Sequence, residues 1–215
     1  MDTDDLIAAL AEDARVIAPG LVQRRLAVFV GTGLFASVAL LLVWLPPRHD
    51  LAQAVQGGFF WAKSLYTFSF AIAGSLALER LSRPGGRSPA LSRNLVLGGL
   101  SLMGAAGVTG LMLAPPDARA LMWLGDSYQV CGMRIVVLAT PLLLTGLMAV
   151  RSLAPTNLRA AGFATGLLAG GLSATVYALH CPESTAAFVA TWYSLGMLAC
   201  AAIGALLGPM VLRWR

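Results

Sequence analysis

Six mostly apolar runs of about twenty residues, set between short polar loops, constrain this chain more than any other feature. A run of that length fits the hydrocarbon core of a bilayer as a helix, and lipid offers a backbone no hydrogen-bonding partner, so each run must close its own bonds. The first extends from about Leu26 to Leu45 and is stopped by Pro46-Pro47. The second, from about Phe59 to Leu78, has Lys63 near its start and Glu79 just past its end. The third, from about Leu95 to Leu113, is closed by Pro115-Pro116. The fourth, from about Tyr128 to Val150, carries Arg134 in its second turn and Pro141 in its middle, where a neighbouring helix is expected to satisfy the freed carbonyl. The fifth, from about Ala160 to Leu179, is rich in Gly and Ala, and the sixth, from about Ala187 to Leu212, runs into Arg213-Trp214-Arg215. With 58% hydrophobic and 12% charged residues, a soluble class is excluded. The 23 glycines fit close helix packing in lipid better than flexibility.

The net charge of +5 reads as topology rather than nucleic-acid binding, because the arginines cluster at the ends of the apolar runs. One side of the six-span map holds Arg15, Arg24, Arg25, Arg80, Arg83, Arg87, Arg93, Arg151, Arg159, Arg213 and Arg215; the other holds only Arg48 and Arg119 in loops. Both termini are therefore predicted to be cytoplasmic. The opening residues mix acidic, basic and apolar character and do not resemble a cleavable signal peptide. The expected fold is all-α: a six-helix transmembrane bundle over residues 23–215, preceded by a short cytoplasmic segment over residues 1–22.

Within that segment Leu6, Ile7, Leu10, Ala14 and Ile17 recur at three- and four-residue spacings, while Asp4, Asp5 and Glu12 point elsewhere and Asp13 flanks the stripe. The pattern predicts an amphipathic helix ended by Pro19-Gly20. One reading is a cap on the bundle or a membrane-surface helix, although surface-seeking helices usually carry Lys and Arg on the polar face. The other is a docking helix, with Leu6, Ile7 and Leu10 as anchors and Asp5 and Asp13 steering a basic partner.

The map brings two of the three cysteines to the outer face. Cys131 falls in the first turn of the fourth helix, and Cys181 lies just past the fifth, within His180-Cys181-Pro182-Glu183-Ser184. Such thiols can form a stapling disulfide, or bind a soft metal as thiolates with His180 and Glu183 alongside. No CxxC or zinc-finger spacing is present. Lys63 and Arg134 lie within a turn or two of the same boundary; either they snorkel to the headgroups or they line a polar cup that tunes the thiols. Arg134, three residues after Cys131, shares its helical face. Cys200 falls mid-helix in the sixth span, as a buried small hydrophobe.

His49 and His180 sit in loops or at helix ends, which argues against membrane haem, and the ionisable groups crowd the boundaries rather than the midplane, which argues against a secondary transporter. No Walker loop, HExxH or serine-nucleophile pattern appears.

Several stretches carry a family resemblance: Tyr177-Ala178-Leu179-His180-Cys181-Pro182-Glu183-Ser184 continuing through Phe188 and Trp192-Tyr193 to Leu212-Arg213-Trp214; Asp5-Leu6-Ile7 with Leu10; Arg48-His49-Asp50-Leu51; Lys63; Arg83-Pro84-Gly85; and Cys131 followed by Pro141. As an ordered series over nearly the whole chain they resemble the integral-membrane anti-sigma factors of the NrsF type. The chain departs from that pattern at Pro46-Pro47, where a Gly-containing turn is expected. The resemblance implies a six-helix protein of the bacterial inner membrane that sequesters an extracytoplasmic-function sigma factor, with the N-terminal segment as the sigma-binding element. It also implies that Cys131 and Cys181 take part in sensing oxidative or heavy-metal stress. The expected partners are the sigma factor and membrane lipid, with no direct nucleic acid. No resident cofactor is implied, transient heavy-metal binding at Cys131, Cys181 and His180 being the one such chemistry these residues allow. The protein is expected not to be an enzyme; the alternative is a thiol-based membrane oxidoreductase or metal-handling protein.

Overall fold

The structure, a computed structural model, describes Thr3 and residues 20–83, 85–153 and 155–213. The amphipathic segment with Asp5, Leu6, Ile7, Leu10 and Asp13 lies outside the described residues. Among the described residues the fold is all-helical. Its elements are α1 (Leu21–Trp44), the single turn α2 (Leu51–Ala54), α3 (Gly58–Leu81), α4 (Ala90–Leu113), the short α5 (Pro116–Leu124), α6 (Tyr128–Arg151), α7 (Leu158–Tyr177) and α8 (Ala186–Val211). The apolar runs predict the long helices closely. Helices α1 and α4 begin earlier than the runs do, at Leu21 and Ala90, because their first turns carry Arg24, Arg25 and Arg93. Short α5 follows from Pro116 at its first position and Asp117 in its first turn, where the helix dipole favours an acid.

Five stretches are long and apolar enough to cross a membrane: Gln23–Trp44, Ala90–Leu113, Pro116–Arg151, Leu158–Tyr177 and Ala186–Val211. Helix α3 matches them in length with 24 residues but is more polar, carrying Lys63, Ser64, Thr67, Ser69 and Ser75. Most of those polar groups find partners inside the protein. Thr67 donates to the Lys63 or Ser64 carbonyl and meets Thr175 Oγ1 of α7 at 2.8 Å, Tyr66 meets Ser194 Oγ of α8 at 2.6 Å, and Ser69 and Ser75 bond back to their own helix.

Helix α7 is the axis of the bundle. From Ala161 to Tyr177 all of its residues but Phe163 and Thr175 are buried. Helices α8, α3 and α6 pack around it, α1 lies mainly on α6, and α4 sits at the rim against α3 and the start of α8. The glycines permit the closest contacts: a Cβ on Gly162 would collide with the Gly204 carbonyl, one on Gly166 with the Cys200 carbonyl, and one on Gly208 with the Leu158 carbonyl. Side chains spaced four apart line one face of a helix, so this small-residue row lets two backbones touch. Cys200 lies in this seam, buried and free. Pro141 of α6 leaves the Val137 carbonyl without its helical donor, and Ser37 of α1 donates not to it but to the adjacent Leu138 carbonyl, at 2.9 Å.

Candidate functional site

The thiol site forms at the bundle end where α1, α4 and α7 finish and α3, α6 and α8 begin. Helix α7 stops at Tyr177, and the following turn places Cys181 so that its amide donates to the Tyr177 carbonyl at 3.0 Å. Cys131 occupies the first turn of α6, its amide bonded to the carbonyl of the N-cap residue Ser127 at 3.0 Å. The Ser127 hydroxyl lies 4.0 Å from Cys181 Sγ, so one residue touches both cysteines. Both sulfurs are fully buried and both are free thiols.

The loop from His180 to Glu183 is tied to several elements at once. Lys63, on α3 and only 1% exposed, donates from Nζ to the carbonyls of Cys181 (3.1 Å) and Glu183 (2.9 Å) and lies 5.4 Å from the centre of the Tyr193 ring. Lys63 therefore does not snorkel; it faces inward and holds the Cys181 loop by its backbone. Arg48 adds a longer bond to the same Cys181 carbonyl at 3.4 Å, and its amide donates to Leu179 O at 3.0 Å. His180 is engaged on both ring nitrogens: Nδ1–H donates to Pro46 O at 2.6 Å, which leaves Nε2 to accept from Arg134 Nη1 at 3.2 Å. Arg134 reaches His180 across the end of the bundle. The Pro46-Pro47 corner thus supplies the carbonyl that orients His180.

Glu183 closes the site from the other side. Its carboxylate accepts from the Asp126 amide at 2.9 Å and the Ser127 hydroxyl at 3.2 Å, holding the start of α6, where the helix dipole also favours negative charge. Gly125, at φ +58, makes this approach available, since a Cβ there would stand 2.6 Å from the Glu183 carboxylate. Outside the helices, Arg48 and Asp50 form a two-pronged ion pair at 2.6 Å per contact. Hydrogen bonding from Arg48 draws the Asp50 carboxyl below its ordinary range, and the same bond raises Arg48.

Two aromatic residues that sequence reasoning did not assign to the site stand beside the thiols. The rings of Tyr177, at the end of α7, and Tyr193, in α8, lie 5.7 Å apart and both are fully buried. Tyr193 closes a π-helical turn, Val189–Tyr193, a local widening often found at functional sites. Among the described residues neither buried phenol hydroxyl has a hydrogen-bond partner. A sequence signal existed: each tyrosine lies within a few residues of the cysteine loop or the following helix start. A cavity of about 120 Å³, lined by Arg48, Ala54, Gly57, Phe59, Phe60, Lys63 and Ser184, leads from the loops to the Lys63 side chain. Among the described residues no three His, Cys, Asp or Glu side chains assemble into a metal-holding group.

A family model described as "Negative regulator of sigma F" matches residues 10–214. The chain belongs to the NrsF family. It is 48% identical over 218 residues to the "Anti-sigma-F factor NrsF" of Caulobacter vibrioides (strain NA1000 / CB15N), with both proteins covered in full. It is 40% identical over 214 residues, again with full coverage of both, to the "Probable anti-sigma-F factor NrsF" of Azospira oryzae (strain ATCC BAA-33 / DSM 13638 / PS). No solved structure matches the chain. NrsF membership points to a regulatory rather than an enzymatic role and to a sigma factor as partner.

Proposed function

We propose that this NrsF-family chain is a six-span anti-sigma factor of the bacterial inner membrane, with both termini cytoplasmic, that holds an extracytoplasmic-function sigma factor and releases it when Cys131 and Cys181 are oxidised or bind a heavy metal. Leu6, Ile7 and Leu10 anchor the sigma factor in this reading, and Asp5 and Asp13 steer it. The observation that carries the reading is the shared contact of Ser127 with both cysteines, in a chain whose family regulates a sigma factor. Helix α3 is counted as the sixth span because Thr67 and Tyr66 are matched by α7 and α8 rather than left for lipid. Joining the two sulfurs, or bridging them by a soft ion, changes the packing between α6 and the α7–α8 loop. Release then requires only that the changed thiols favour one of two packings, by about 1–3 kcal/mol for couplings of this kind.

An oxidoreductase would have to exchange its disulfide repeatedly with an outside thiol, and both sulfurs are covered. The regulatory reading needs one event. Replacing both cysteines by Ser in cells should abolish induction of the sigma regulon by oxidant and by metal while leaving the sigma factor bound; normal induction would remove the sensor role. Deleting residues 1–19 should abolish capture of the sigma factor, and retained capture would move the binding site elsewhere.

A further inference from the structure

Helix α4 packs on α3 and on the start of α8 rather than on α7. The space it leaves is a cleft of about 420 Å³ at the bundle end opposite the thiols, where α3 finishes and α4 and α7 begin. Its floor is buried and apolar, made by Ala77 and Leu81 of α3 and by Ala164 and Leu167 of α7. Ser92 also lines it, but that hydroxyl donates to the Ala73 carbonyl at 2.6 Å, so the floor offers water no partner. Leu97 and Phe163, on the two lips, are 55% and 43% exposed, so the cleft opens sideways, toward the lipid that these helices are read as crossing. From Ala160 to Leu167 it follows two turns of α7, about 10 Å, which gives a section of about 40 Å². That is room for hydrocarbon chains and too narrow for a partner helix, about 10–12 Å across with its side chains.

The mouth nearest the loops is basic. Arg93, in the first turn of α4, lines it together with Ser88, and Arg87 precedes Ser88 in the loop. Among the described residues neither arginine has a hydrogen-bond or ion-pair partner. Glu79, the one carboxylate among the described residues at this end, is already engaged by Gln23 and Arg83. An arginine whose stem lies along an apolar wall keeps its charged head at the level of the lipid headgroups, where it attracts anionic ones.

We propose that the cleft between α4 and α7 is a binding site for an anionic phospholipid, whose acyl chain lies along Ala77, Leu81, Ala164 and Leu167 and whose phosphate meets Arg93. A zwitterionic lipid fills the apolar walls equally well, but its choline cation meets a basic rim. The site is independent of the thiols. It rests on the function proposed above only for the placement of the chain in a membrane.

The test titrates the full chain in detergent with dioleoyl phosphatidylglycerol or dioleoyl phosphatidylcholine and counts bound lipid by native mass spectrometry. One phosphatidylglycerol should bind about fivefold or more tightly than phosphatidylcholine. Arg93→Gln, at an exposed position, should lower phosphatidylglycerol affinity about fivefold, the scale of one basic group beside an anionic headgroup, and leave phosphatidylcholine unchanged. Arg151→Gln, equally exposed at the same end but outside the cleft, should change neither. Ala160→Leu, which fills the cleft from α7, should weaken both lipids. Equal affinity for the two lipids, or equal losses in the two arginine variants, overturns the proposal. So does a dimer that Ala160→Leu dissociates, which assigns the cleft to a second copy. Phosphatidylglycerol binding that emerges only after deletion of residues 1–19 assigns it to that segment, and overturns the proposal likewise. The membrane reading fails separately, if alkaline carbonate releases the chain from cell membranes, whatever lipid the purified protein binds.

Discussion

The two ends of this bundle are held by different chemistry. Where α7 begins and α8 ends, backbone meets backbone: Gly162 faces Gly204, and Gly208 faces Leu158, with no room for a side chain between them. The polar contacts between charged or amide side chains at that end are exposed ones, such as Gln23 to Glu79 at 2.9 Å, Arg25 to Ser152 at 3.2 Å and Arg83 to Glu79 at 3.1 Å, and exposed pairs contribute little. At the thiol end side chains do the holding: Lys63, Arg48, His180, Arg134, Glu183 and Ser127 converge on one short loop. A backbone seam has essentially one arrangement, whereas a hydrogen-bonded loop can exchange partners. Under the sensor function proposed above, a chemical event at the thiols would repack one end and leave the other as a fixed pivot.

The most severe way to break this comparison is Gly162→Val. The new side chain would meet the Gly204 carbonyl and the Gly208 backbone, which cannot move aside as a side chain can. Overpacking a close-packed core costs about 1–3 kcal/mol where side chains yield, so a clash with backbone should cost at least the upper part of that range. Gly104→Val is the control, because a Cβ on Gly104 of α4 meets nothing within 4 Å. Thermal unfolding in detergent should show a large loss for the first and little change for the second. Equal effects would mean that the seam is not what holds α7 to α8.

A smaller effect is expected at the thiol end from Glu183→Ala. Removing the carboxylate leaves the Asp126 amide and Ser127 hydroxyl without their acceptor at the start of α6. Hydrogen bonds to a charged group contribute about 1–3 kcal/mol, and partial exposure of Glu183 places the expected loss toward the lower end. Glu183→Gln should lose less, since the amide oxygen still accepts. Denaturant unfolding checks the order; a neutral Glu183→Ala would mean that the α6 start is held by something else.

Long apolar runs bounded by proline were legible in the sequence because span length and helix-breaking chemistry are local. That is why Pro46-Pro47 and Pro115-Pro116 marked the ends of α1 and α4 so closely. The meeting of Cys131 and Cys181 at one end followed from counting helices. What the sequence did not disclose depends on partners distant in the chain. The glycines of α7 were visible, but not which backbone each would touch. Lys63 was visible as an ionisable group near a helix start, but its bonds to carbonyls 118 and 120 residues away were not. Glu183 is visible as a charged neighbour of Cys181, but the hydrogen bonds its carboxylate accepts from the Asp126 amide and the Ser127 hydroxyl, more than fifty residues away, were not.

The smallest expected effect is acid sensitivity confined to the loop after α1. Asp50 precedes α2, but its carboxylate pairs with Arg48 instead of capping that turn, and the pairing holds its pKa below the ordinary carboxylate value. A lowered folded pKa gives stability that is fully present above the unfolded carboxylate pKa and lost as pH falls through the folded one. The pair should therefore persist at neutral pH and let go only under acid more extreme than an unpaired Asp would require. Asp50 is half exposed, so solvent screens the pair and global stability should barely move. Hydrogen exchange at the Gln53 and Ala54 amides, which bond to the Asp50 carbonyl, is the local probe. Corrected for intrinsic rates, their protection should fall on acidification in the wild-type chain and be reduced already at neutral pH in Asp50→Asn. Protection unchanged by acid would show that the Arg48 amide bond to Leu179 fixes this loop without help from the ion pair.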